Sequence, residues 1–258
     1  GSDILFSLIY KWFGFFGMVV LTASIVAFIM YIIYRYISKK NILLSIFIMI
    51  PTFIAVDTHI LPRPHLFSFL FIVVWYIFID EYYKNNKKLI YLLPIFTIIW
   101  VNLHGGILYA FVIFGLFLIG ILVEVIIGNK EYLKRGLIIF YIMLTCLVTS
   151  GLNPYGYSWF INFIRGFIVA GDGFYNGLVL EFLSASFNKT GFVQITIIAL
   201  IIITAILYKY KKGSSVYVIF LMFWMYQSLQ YRRHFAVLGL FLPFLIIELI
   251  ELKKVVKF

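Results

Sequence analysis

Apolar residues run along this chain in long blocks, and polar residues collect in the gaps between them. The blocks fall roughly at 15–37, 42–56, 66–83, 89–101, 106–127, 133–150, 191–208, 214–229 and 235–250. Apolar runs bounded by charges and turn residues predict membrane-spanning helices. The pattern therefore predicts an all-α fold, a polytopic transmembrane bundle of about nine spans forming a single domain over 1–258. The second and fourth blocks are short for ~30 Å of hydrocarbon at about 1.5 Å per residue. No solenoid-type repeat is present. One long gap, 151–190, separates the sixth and seventh blocks. Within it Ser158, Asn162 and Arg165 follow i, i+4, i+7 spacing among Trp159, Phe160, Phe163 and Phe167. That polar stripe predicts an amphipathic helix lying in the membrane interface over about 156–170.

Composition supports a lipid setting. Hydrophobic residues make up 64% of the chain, charged residues only 12%, and mean hydropathy is +1.07. A soluble domain carries about 25% charged residues, so this chain lacks the polar surface to face water all round. A soluble enzyme, a disordered chain and a disulfide scaffold are excluded. The lone Cys146 has no intramolecular partner.

The net charge of +11 would raise nucleic acid as a partner for a soluble protein. Here the basic residues lie mainly between apolar runs, where topogenic charges belong, and nucleic acid is set aside. Alternate gaps sort them unequally. One set holds fifteen of the 21: Arg35, Lys39, Lys40, Lys84, Lys87, Lys88, Lys130, Lys134, Arg135, Lys209, Lys211, Lys212, Lys253, Lys254 and Lys257. The other holds Lys11, Arg63, Arg165, Lys189, Arg232 and Arg233. The positive-inside rule makes the richer set cytoplasmic. The reading is a multi-pass cell-membrane protein with its C-terminus inside and its first residue outside. That start, with Gly1-Ser2-Asp3 and no visible signal peptide, predicts sequence upstream.

The two faces differ in chemistry. The inner cations are nearly all lysine, whereas Arg63, Arg165, Arg232, Arg233 and all four histidines fall on the outer side. Arginine's fixed fork suits phosphate or carboxylate, so the outer ends are where a site is expected. Four segments stand out. Asp57-Thr58-His59-Ile60-Leu61-Pro62-Arg63-Pro64-His65 has two prolines that restrict its backbone, presenting Arg63 and His65 from a stiff loop. Trp100-Val101-Asn102-Leu103-His104-Gly105-Gly106 has a glycine pair permitting a sharp reversal beside Asn102 and His104. Leu152-Asn153-Pro154-Tyr155-Gly156-Tyr157 is a turn signal opening the long gap, which also holds Asp172 and Glu181. Gln230-Tyr231-Arg232-Arg233-His234 places two arginines against the positive-inside trend, a pair suited to phosphate or pyrophosphate. Tight polar turns anchored at the interface are the plain alternative for each.

Taken in order, Arg63-Pro64-His65-Leu66-Phe67-Ser68, Trp100 to Gly106, Asn153-Pro154-Tyr155-Gly156, Glu181-Phe182-Leu183-Ser184 and Arg232-Arg233-His234 resemble a group of bacterial polytopic proteins related to the GT-C glycosyltransferases. The resemblance covers most of the chain. It implies transfer of a sugar from a polyprenyl-phosphate donor, on the extracytoplasmic face, to a lipid, glycan or protein. GT-C enzymes carry a catalytic carboxylate in their first outer loop, and this chain begins where that loop would end. The carboxylate is then upstream, is Asp3 itself, or is absent from that position; Asp57 and Glu181 are the other outer candidates. On this reading the carboxylate takes the proton of the acceptor hydroxyl as it attacks the anomeric carbon. Arg232 and Arg233, with Arg63, stabilise the departing polyprenyl phosphate. His65, His104, Asn102 and His234 hydrogen-bond sugar or phosphate. No cofactor is expected and no metal is required, because arginines supply the positive charge and no compact His/Asp ligand set exists.

Two rivals use the same residues differently. A lipid-linked glycan translocator would grip the phosphate without chemistry, and a scaffold subunit of an envelope assembly would use the 151–190 loop to bind a partner. Charges buried mid-span favour transport. By sequence, only Glu124 and Glu248 approach a span interior.

Overall fold

The computed structural model describes residues 1–158, 160–161, 198, 201–202, 204–205 and 213–250. Every regular element among them is helical. In order they are α1 (Ser2–Ile37), α2 (Ile42–Asp57), α3 (His65–Asn85), a 3-10 turn (Lys88–Leu92), α4 (Leu93–Leu103), a second 3-10 turn (Gly105–Ile107), α5 (Leu108–Ile126), α6 (Tyr132–Thr149), α7 (Ser215–Gln230) and α8 (His234–Leu249).

The helices coincide with the apolar blocks, but the number of spans does not follow from them. Among the described residues four helices are long and apolar enough to cross a membrane: Ser2–Ile37, His65–Asn85, Gly105–Ile126 and Tyr132–Thr149. Ile42–Asp57, Lys88–Leu103 and His234–Leu249 are shorter apolar helices. The expectation of nine spans is therefore not supported. A 16-residue helix such as α2 or α8 is about 24 Å long, short of ~30 Å of hydrocarbon. An apolar run can also be apolar because protein surrounds it. That is the case for α8, where every residue from His234 to Leu249 is buried. Most of the interfacial helix expected over 156–170 and of the block at 191–208, with Arg165, Asp172 and Glu181, lies outside the described residues.

Local chemistry sets the helix ends. α1 starts earlier than its apolar block and is interrupted at Gly14, whose φ of 60° is one that glycine tolerates. Beyond that break only a narrow stripe, Thr22, Val26, Ile29, Ile33 and Ile37, is buried. Its other faces, like Phe15 and Phe16 at over 70% exposure, are apolar yet unsheltered by protein, as lipid contact requires. Asn41 starts α2 by accepting the Leu44 N–H at 2.9 Å on its side chain. Pro62 and Pro64 close the α2–α3 connection, so α3 begins at His65. Asn86 ends α3 in the left-handed region, φ 57°.

Small residues let α8 lie against α2. A Cβ on Gly239 would stand 2.6 Å from the Ala55 Cβ, with Ser45 and Thr52 on the same buried face of α2. The two helices run antiparallel, so the start of α8 lies near the end of α2. Around this pair α3 supplies the second buried helix, with Tyr76 packed against the rings of Phe117, Phe220, Phe241 and Phe244, and Trp75 against Phe114.

Candidate functional site

The hydrogen bonds sort the connections to the two ends of the bundle, and each end holds one polar cluster. At the first end, α1 is pinned by the Ser2 hydroxyl, which donates to the Leu103 carbonyl at 2.6 Å, and by Phe6 against Phe67. α4 stops at His104, whose backbone is extended, and the chain reverses through Gly105 and Gly106. The His104 imidazole caps the following turn. Its Nδ1 accepts the Gly106 N–H at 3.0 Å and lies 2.7 Å from Ser68 Oγ. The buried Trp100 indole donates to the same Ser68 oxygen at 2.9 Å. Gly106 is required for this approach, because a Cβ there would overlap Ser68 Oγ. Burial holds the His104 pKa below its ordinary value of 6.5; nearby His65 adds to the depression and Asp3 opposes it.

His65, the first residue of α3, places Nε2 2.9 Å from the His59 carbonyl, and the two imidazole rings are 4.9 Å apart. Arg63 is exposed in the loop above. Asn102 spends its amide on the carbonyls of Ile98 (2.8 Å) and Leu152 (3.0 Å), tying α4 to the Asn153 turn. In that turn Asn153 donates to Ser150 O and Gly156 O. Beside this group stands the start of α8. His234 packs edge-on against Tyr109, Trp224 and Tyr231, and the Arg233 guanidinium lies 5.9 Å from the Tyr231 ring centre. Tyr109 belongs to the first turn of α5, directly after the His104 reversal, and joins the two groups.

The residues singled out in the sequence thus fall as follows. Asp3, His65 and His104 come together, and Asn102 braces the same end. Arg233 and His234 adjoin them through Tyr109, with Arg232 next in the chain. Asp57, the exposed last residue of α2, sits at the same end. Glu181 is outside the described residues. Among the described residues no three His, Cys, Asp or Glu side chains form a group that could hold a metal.

The other end carries a cluster that sequence reasoning missed. Asp80, fully buried in α3, accepts hydrogen bonds from Tyr36 (2.5 Å) on α1 and Tyr217 (2.8 Å) on α7. Lys84, one turn along at i+4, bonds both Asp80 and Glu248 of α8. Lys40 takes the second Glu248 oxygen at 2.5 Å. Glu81 pairs with Lys87 at 2.7 Å, and a cavity of about 160 Å³ opens beside the group, lined by Tyr36, Lys39, Lys40, Glu81, Lys84 and Glu248. Glu124 caps the N-terminus of α7 through the Ser215 N–H at 3.0 Å. The expectation that only Glu124 and Glu248 approach a span interior is therefore corrected: Asp80 and Glu81 are buried too. The signal was present as an Asp80–Lys84 pair at i, i+4 spacing ending an apolar run. It reads as topogenic charge until α8 is seen bringing Glu248 to it.

Comparison of the chain with protein families, with curated proteins and with solved structures yields no match.

Proposed function

We propose that the chain acts in a membrane, at its His104 end, as a GT-C-like glycosyltransferase that moves a sugar from a polyprenyl-phosphate donor to an acceptor on the extracytoplasmic face. The observation that carries this reading is the convergence at one end of segments far apart in sequence: Asp3, His59 to His65, Asn102 to Gly106, and Arg233-His234. The enrichment of arginine and histidine at that end, against lysine at the other, supports an extracytoplasmic setting for it. In the reaction a carboxylate, Asp3, Asp57 or Glu181, takes the acceptor hydroxyl proton. The acceptor oxygen bonds to the anomeric carbon as the bond to the phosphate oxygen breaks. Arg232 and Arg233, with Arg63, hold the polyprenyl phosphate as its charge develops.

Native mass spectrometry of the protein extracted gently from its membrane tests the donor site. Expected is co-purifying polyprenyl phosphate that is lost in Arg232→Ala/Arg233→Ala. Folded wild-type protein that neither retains nor takes up the lipid defeats the proposal.

One observation favours a second reading, a lipid-linked glycan translocator. Buried charges within a membrane helix, as Asp80 and Lys84 of α3 bonded to each other and to Glu248 of α8, are a common feature of transport pathways. Reconstituted vesicles separate the two. Sugar transfer that survives Asp80→Asn supports the enzyme, and transbilayer lipid movement abolished by it supports the translocator.

A further inference from the structure

We infer that His104 is held as a neutral imidazole with its proton on Nε2, a hydrogen-bond donor to a phosphate or hydroxyl oxygen and not a base, and that Ser68, Trp100 and Gly106 are the positioning residues that hold it so. The donor role rests on the polyprenyl-phosphate reading of this end; the tautomer does not.

A backbone N–H can only donate, so the Gly106 N–H, 3.0 Å from Nδ1, needs a lone pair there. The Trp100 indole N–H can only donate as well, and it points at Ser68 Oγ at 2.9 Å. Ser68 oxygen is thereby an acceptor and its own hydrogen remains for Nδ1, 2.7 Å away. Two donors meet the single Nδ1 lone pair, and in a neutral ring the proton then sits on Nε2. A proton on Nδ1 would set N–H against N–H at Gly106. Trp100 and Ser68 are buried at 0% and 2% exposure, so water cannot readily replace either bond. Gly106 has no Cβ to hold Ser68 away.

The opposite ring atom is arranged differently. Among the described residues Nε2 of His104 has no hydrogen-bond partner, while the ring itself is half-buried. The charged and titratable groups that act on it are His65 from α3 and Asp3 from α1, of opposite influence. A neutral N–H there can bind an oxygen beside arginines without adding a further positive charge. It also leaves proton abstraction to a carboxylate.

NMR of the protein with 15N-labelled histidine in lipid nanodiscs tests this, the His104 signals being assigned by their loss in His104→Gln. The expected result is one tautomer, protonated at Nε2, still mostly neutral at pH 6.5, where an unperturbed histidine is half-protonated. Ser68→Ala should populate both tautomers and move the midpoint up by about half to one pH unit, the worth of one hydrogen bond to the neutral form. Ser68→Thr, which keeps a hydroxyl, should retain the single tautomer. A wild-type Nδ1–H form, a tautomer mixture, or half-protonation at pH 6.5 overturns the inference even if the purified protein carries polyprenyl phosphate. Adding a long-chain polyprenyl phosphate should shift the Nε2–H signal, and inorganic phosphate at equal concentration should not. A shift with both assigns the donor to free phosphate and removes the lipid reading while the tautomer stands. A locked Nε2–H that neither disturbs overturns the donor role.

Discussion

Replacing Lys84 by methionine probes the buried ion cluster most directly. The change keeps the length and most of the volume of the side chain but removes the cation shared by Asp80 and Glu248. Both carboxylates are sheltered, at 0% and 5% side-chain exposure. Removing one partner of a buried pair costs about 3–5 kcal/mol because the remaining charge is stranded. Here the lower end, about 3 kcal/mol, is expected, since Tyr36 and Tyr217 still donate to Asp80 and Lys40 still holds Glu248. At about 2–4 °C per kcal/mol for a chain of this size, the melting temperature of Lys84→Met should fall by roughly 6–12 °C. Neutralising both partners in Asp80→Asn/Lys84→Met should bring it back to within about 1 kcal/mol of wild type, because no unpaired charge remains on α3. A thiol-reactive fluorogenic dye reads the transition, as the sole cysteine, Cys146, is fully buried in the folded protein. A fall below about 2 °C for Lys84→Met, or a double variant less stable than Lys84→Met, would refute the claim that the cluster acts as a mutually dependent unit.

Two further outcomes follow from the packing and from His104. Gly239→Val should lower the melting temperature by several degrees, about 1–3 kcal/mol of overpacking, because its Cβ meets Ala55; Ala55→Gly should recover part of the loss, and an unchanged melt for Gly239→Val would contradict the close α2–α8 contact. His104 is held below its ordinary pKa of 6.5, so its contribution to stability is complete above pH 6.5 and is lost as pH falls through the lower folded value. Melting followed by tryptophan fluorescence should therefore drop between neutral and mildly acid pH, and the drop should be smaller in His104→Gln; equal slopes would refute that assignment.

The two polar clusters draw opposite uses from similar residues. At the Asp80 end every carboxylate of the cluster is matched by lysine or tyrosine within the protein. Such compensation suits a clamp joining α1, α3, α7 and α8. At the His104 end the carboxylates Asp3 and Asp57 and the Arg63 side chain are exposed, and the Arg233 guanidinium lies 5.9 Å from the Tyr231 ring centre.

Helix positions were legible in the sequence because block boundaries are local. Asn41, Pro62, Pro64 and the Gly105-Gly106 pair act on neighbours within a few residues, and the helices begin and end at them. The gathering of Asp3, His65 and His104 was legible only as a shared side, from the alternation of loops. Span number was not, since composition does not distinguish lipid from protein around an apolar helix. α8 and α1 are both apolar, yet one is wholly buried and the other buries a single stripe.

By itself the sequence determined an all-helical chain built for lipid, the order of its helices, and the enrichment of arginine and histidine in one set of loops. These depend on composition and on interactions of short range along the chain. Tertiary structure alone decided that Ser68 and Trp100 reach His104, that Gly239 seats α8 on α2, and that Glu248 meets Lys84 across 164 positions. Each of those is a contact between faces of different helices, and a helix's own periodicity shows which residues share a face but not which helix the face will meet.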